Sequence, residues 1–392
     1  MAKNHLIILS LFLLFPIFAY ADEADNFRFY GDASLEFAYD SNIEGATDHS
    51  IPGETNNNLE DFLTVTDLNF GIIKSFSSKI NLNASFSEIE KFYSDEYLEN
   101  SNRHIGEIDL NIPISKSLKL TLNDRAMFHS QPKEDLHDFF ANFATSSLSY
   151  DINREITVSA GYLNRFKKYP NNKKWNFTRD SFFLQTRYQF SQSFWVTGTY
   201  EGSLYRGNNN LFFEREEQNE LEKEEISLFK GKTSKGHEHQ IILTVNKILE
   251  KGSLVNFKYR FVSNSVNDIT NVLEDRELAE FEGILAYEND EQDFNYTLNE
   301  ATLILSIPLP EKLTLDVIML YQFQNFDGDA FGEEVSRTRR LDRLAVADIS
   351  LSYNLMDNLA IALRQAFINN ESNYPEKEYS RNYTSVNFKY SF

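Results

Sequence analysis

The chain has 392 residues, no cysteine, 14% aromatic residues and a formal charge of −21. Disulfides, thiolate metal sites and cysteine nucleophiles are thereby excluded, and the acidic balance argues against nucleic acid as a partner. Mean hydropathy is −0.45, and beyond the first 21 residues no apolar run approaches the roughly 18 residues that a membrane helix needs, so helical spanning is excluded too.

In chain order, residues 1–21 read as a cleaved secretory signal peptide: Lys3, an apolar stretch from Leu6 to Phe18, then Ala19-Tyr20-Ala21 before acidic Asp22 and Glu23. Residues 22–392 read as one β-barrel domain. Phe27, Phe29, Gly31, Ala33, Leu35, Phe37 and Tyr39 alternate with polar neighbours over about thirteen residues, long for a soluble strand. The same period of two runs through 80–87, 118–123, 156–162, 182–190, 255–261, 313–323 and 359–364. One face of each segment is oily and the other wet.

Connections alternate as well. Seven short turns, at 75–79, 115–117, 151–154, 191–193, 250–253, 308–312 and 355–358, interleave with eight long polar stretches at about 41–60, 94–102, 129–137, 166–178, 206–237, 264–293, 326–338 and 370–378. Seven and eight connections join sixteen strands. A sandwich or propeller does not predict loops that switch strictly between short and long. The expected fold is therefore all-β: a single transmembrane antiparallel β-barrel of about sixteen strands, with short periplasmic turns and long extracellular loops, in the cell outer membrane. Its start near Phe27 leaves no room for a plug domain.

The final strand, Tyr379–Phe392, puts Val386, Phe388, Tyr390 and Phe392 on one side. It resembles the C-terminal strand of Gram-negative outer-membrane β-barrel proteins, porin-like barrels included, in which a terminal Phe and aromatics two and four residues earlier are the assembly signal. The resemblance assigns that signal to Phe388, Tyr390 and Phe392 and implies outer-membrane lipid, lipopolysaccharide and the barrel-assembly machinery as partners.

A sixteen-stranded wall encloses a lumen wide enough for water. The inward, pore-lining cations are expected to be Lys119, Arg125, Arg165, Arg187, Lys258, Arg260 and Arg364, and the anions Asp32, Glu36, Asp67, Glu107, Asp109, Glu300 and Asp316. Facing one another across the lumen they would orient polar solutes; paired along the wall they would only brace it. Excess negative charge falls in the loops, notably Glu216, Glu217, Glu222 and Glu224, which would attract cations to the mouth. The sequence offers no cofactor motif and no metal-ligand spacing, and His104, His129 and Asp124 do not match the catalytic patterns of outer-membrane phospholipases or omptin proteases, so no enzyme is expected. Tyr39-Asp40-Ser41-Asn42-Ile43 resembles a turn common in exopolysaccharide-associated barrels, which implies a saccharide cargo. The functional expectation is a channel for passive passage of polar solutes, possible cargoes being oligo- or polysaccharides. The alternative is a closed barrel with a structural or surface-adhesion role through its acidic loops.

Overall fold

A segment with one oily and one polar face leaves its backbone groups unsatisfied in lipid unless strands pair with it on both edges. The chain meets that requirement by closing a sheet on itself. A computed structural model of the chain describes residues 27–41, 60–76, 80–94, 100–131, 138–171, 176–207, 234–266, 295–326, 340–373 and 378–392. The expected signal peptide lies outside the described residues.

The strands are β1 (Phe27–Asp40), β2 (Asp61–Ser75), β3 (Asn81–Tyr93), β4 (Ser101–Pro113), β5 (Leu118–Ser130), β6 (Phe139–Asp151), β7 (Ile156–Lys168), β8 (Phe177–Ser191), β9 (Phe194–Gly207), β10 (Ser234–Ile248), β11 (Leu254–Val266), β12 (Tyr296–Pro308), β13 (Leu313–Phe326), β14 (Leu341–Met356), β15 (Leu359–Ser372) and β16 (Tyr379–Ser391). Each pairs antiparallel with the next, and β16 returns to β1. Strands of 13 residues at about 3.3 Å per residue and a tilt near 40° span about 33 Å, enough for the apolar core of a membrane.

Besides the β1–β16 ladder, one close contact fastens the seam at each end. At the short-turn end the Phe392 N–H donates to the Gly31 carbonyl at 2.9 Å, and the Gly31 N–H donates back at 3.1 Å. The Phe392 ring lies so close over Gly31 that a Cβ there would fall 2.3 Å from it, so only glycine fits under the ring. At the long-loop end the Arg381 Nε–H donates to both carboxylate oxygens of Asp40, at 2.9 and 3.0 Å. Asp40 is fully buried.

Register fixes which residues share a face. Phe37, Phe62, Phe182, Leu184, Ile241 and Leu363 are exposed on the outer surface, a belt that water would penalise and lipid accommodates. The chain is a transmembrane β-barrel of the outer-membrane type.

Candidate functional site

Every pore-lining residue expected from the sequence sits on the inward face. Register carries that face around the wall: Glu107 pairs Arg125, Arg125 pairs Phe143, Phe143 pairs Arg165, and Arg165 pairs Arg179. On the same face Asp109 pairs Asn123, Lys119 pairs Ser149, Arg187 pairs Thr197, Lys258 pairs Thr302, Arg260 pairs Glu300, and Asp316 pairs Ser350, which pairs Arg364.

The two halves of the lumen differ. In the short-turn half the inward side chains are mostly hydroxyls and amides that bond across neighbouring strands. Ser75 donates to Asn81 at 2.7 Å, Ser87 to Asn69 at 3.1 Å, Thr121 to Asn111 at 3.1 Å, Gln185 to Thr199 at 3.1 Å and Asn256 to Asn246 at 2.7 Å. The Ser149 and Ser159 hydroxyls meet at 2.9 Å. These groups are partly exposed and keep further donor and acceptor capacity toward the lumen.

From mid-wall toward the long loops the wall is braced by ion pairs. Arg125 meets Glu107 at 2.9 Å, Arg260 meets Glu300 at 2.7 Å and Arg364 meets Asp348 at 2.5 Å, each on an adjacent strand. Arg179 bridges Glu201 at 3.2 Å and Glu238 at 2.6 Å, while Tyr205 donates to Glu238 at 2.6 Å and the Ser181 and Ser203 hydroxyls bond each other at 2.9 Å. Lateral pairs at these distances cancel their own fields. These paired charges act as struts along the barrel rather than as a field across it. Arg187 differs: its guanidinium stacks on the Trp195 ring, 4.9 Å from the centroid, and it is exposed.

The expectation of a wholly wet inner face is corrected here. Inward apolar side chains form buried clusters in the long-loop half: Ile105, Met127, Phe139 and Phe143 on β4–β6; Val262, Leu298 and Phe326 on β11–β13; Leu320, Leu344, Val346 and Ile368 on β13–β15; and Leu63 with Tyr383 beside the seam. Alternation fails to predict them because both faces of these stretches are apolar, as in Phe139-Phe140 or Ile318-Met319-Leu320-Tyr321. On β8–β10 the Arg179–Glu201–Glu238 network stands in place of such a cluster.

Sequence reasoning also missed Arg103, Arg179, Glu201, Glu238, Asp342, Asp348 and Arg381 as inward groups. Parity would have found them, since Arg179 is eight residues from Arg187 on β8. Asp40 was assigned to the resemblance turn, but its side chain closes the seam inside the barrel; Tyr39 points outward and donates to Glu60 at 2.6 Å. His104 and His129 lie on neighbouring strands but on opposite faces, because His129 is in register with Arg103. Glu216, Glu217, Glu222 and Glu224 lie outside the described residues. Phe388, Tyr390 and Phe392 are on the outer surface, each about 40% exposed (40%, 39% and 40%).

No family model matches the chain, and no curated protein does. Among solved structures it is similar to OccAB3 of Acinetobacter baumannii, at 9% identity and TM-score 0.49, over 93% of this chain and 99% of that one. It is also similar to a loop-deletion mutant of the outer membrane protein OmpT of Vibrio cholerae, at 10% identity and TM-score 0.48, over 93% and 99% of the two chains. A third similar structure is described as a bacterial polysaccharide outer membrane secretin, at 10% identity and TM-score 0.44, over 92% and 98%.

Proposed function

We propose that the chain is an outer-membrane channel through which polar solutes, oligosaccharides first among them, pass by diffusion. The observation that carries this reading is the lining of the short-turn half, where small hydroxyl and amide side chains ring the lumen and are partly exposed. Such groups exchange hydrogen bonds with a hydrated sugar at little cost and repel neither sign of charge. The Tyr39-Asp40-Ser41-Asn42-Ile43 resemblance ranks saccharide above other cargoes. Insertion relies on the signal peptide of residues 1–21 and on Phe388, Tyr390 and Phe392 as the strand read by the assembly machinery.

One observation favours a second reading. The buried inward clusters around Met127, Leu298 and Leu344 are what a sealed barrel needs, and such a protein would act at the surface through its acidic loops. Swelling of proteoliposomes in isotonic sugars of increasing size separates the two. A channel gives swelling that falls with solute size. Liposomes as tight as protein-free controls to every sugar would establish the sealed barrel.

A further inference from the structure

We infer that the outer face of β3–β6 is an interface between copies of this chain. The wall is not uniform where it meets lipid. Counted up each strand from its short-turn end, the fourth outward residue on the far side is Phe261 on β11, Ala301 on β12, Met319 on β13 and Ile349 on β14. On the near side it is Glu88 on β3, Gly106 on β4, Asp124 on β5 and Ala144 on β6. One level higher stand Glu90, His104 and Asn142; above these the aromatic ring resumes with Phe92, Phe128 and Phe140. With Glu90 one level above them, the Glu88 and Asp124 carboxylates thus sit below the upper aromatics, at hydrocarbon depth, on a surface that faces outward.

They are held in pairs on the wall. Glu88 approaches His104 Nδ1 at 3.8 Å, with side chains 35% and 39% exposed, and the His104 ring stacks between Phe86 and Phe128 at 6.2 and 6.3 Å. The Asn142 amide donates to Asp124 at 2.8 Å, and that pair is exposed. Ionisable groups facing lipid are costly and are kept where protein covers them. Beside them Gly106, Ala126 and Ala144 let a second backbone approach closely, the usual device for packing within a bilayer.

A second copy fits this face better than another partner. Copies insert at one depth and in one orientation, so the polar level of one meets the same level of the next. That level carries acceptors (Glu88, Asp124) together with donors (the Asn142 amide, the His104 ring), which makes it complementary to itself, as closed symmetric assemblies require. The inference goes beyond the channel reading and does not rest on it.

The chain has no cysteine, so single introduced cysteines report contacts without background. Ala126→Cys and Ala144→Cys mark the proposed face, and Ala301→Cys marks the opposite wall. Each variant is expressed in outer membranes, checked for heat-modifiable migration, and treated with a short bismaleimide, alone and with the two face variants co-expressed. A band of twice the monomer mass from the face variants and none from Ala301→Cys is expected. The wild type in mild detergent should show a multiple of the monomer mass by native mass spectrometry. Equal crosslinking on both walls would overturn the inference, as would a monomeric wild type without face crosslinks or crosslinking only to a protein of different mass.

Discussion

Gly31→Ala tests the seam at its tightest point. In an open strand interior, replacing glycine by alanine stabilises by roughly 0.5–1 kcal/mol, because glycine loses more freedom on folding. At Gly31 the added Cβ would lie 2.3 and 2.6 Å from two carbons of the Phe392 ring and 2.8 Å from the Asn69 backbone oxygen. Comfortable carbon contacts are about 3.5–4.0 Å, so the ring must move by more than an ångström, and the backbone oxygen has nowhere to go. Overpacking of this kind costs about 1–3 kcal/mol. The strand preference offsets part of that, leaving a net loss of about 1–2 kcal/mol from the overpacking range. Gly198 on β9 supplies the control, since a Cβ there meets nothing within 4 Å. Urea titration of the refolded barrel, read as loss of the compact gel form, should move the midpoint down for Gly31→Ala and leave it level or higher for Gly198→Ala. In a Phe392→Ala background the cost at Gly31 should shrink but not vanish, because the contact with Asn69 remains. A Gly31→Ala barrel as stable as Gly198→Ala would show that the ring does not lie over Gly31.

Other consequences follow from the lumen wall. Arg364→Gln leaves Asp348, which is only 5% exposed, without its main partner, and should destabilise by about 3 kcal/mol in urea titration. Arg187→Gln removes no carboxylate contact among the described residues and should leave that midpoint unchanged while altering single-channel conductance. Phe143→Ala cuts into a buried inward cluster; a loss of about 3 kcal/mol is expected, together with faster sugar entry in the swelling assay if this cluster narrows the path. Neutralising Glu216, Glu217, Glu222 and Glu224 together should reduce cation preference, an effect confined to within about 8 Å of those charges at physiological salt.

The barrel was legible because lipid imposes a period of two on every strand and closure leaves short and long connections alternating. The fourteen charged residues expected on the inner wall, from Asp32 to Arg364, share the inward face because parity alone decides it. What parity could not show is depth. Leu344 and Val346 occupy the same face as Ser350 and Ser352 on β14, yet the first two are buried in a cluster and the others line the more open half. Partners were equally invisible: Asp40 and Arg381 are 341 residues apart and meet only when the sheet closes. The lateral pairing of Arg364 with Asp348 depends on register between β14 and β15, which turn lengths suggest but do not dictate. Outward polar residues such as Glu88 and Asp124 stood plainly in the sequence, but their meaning needed the neighbours that register supplies.

The purified wild-type barrel in a planar bilayer tests the channel most directly. The expected result is discrete conductance steps with a mild cation preference that fades as salt rises from about 0.1 M to about 1 M, where the screening length falls from about 10 Å to about 3 Å. A current that never leaves baseline would contradict it and establish the sealed barrel. Strong anion selectivity persisting at about 1 M salt, where that reach is about 3 Å, would instead show that unbalanced inward arginines, not paired ones, govern the lumen.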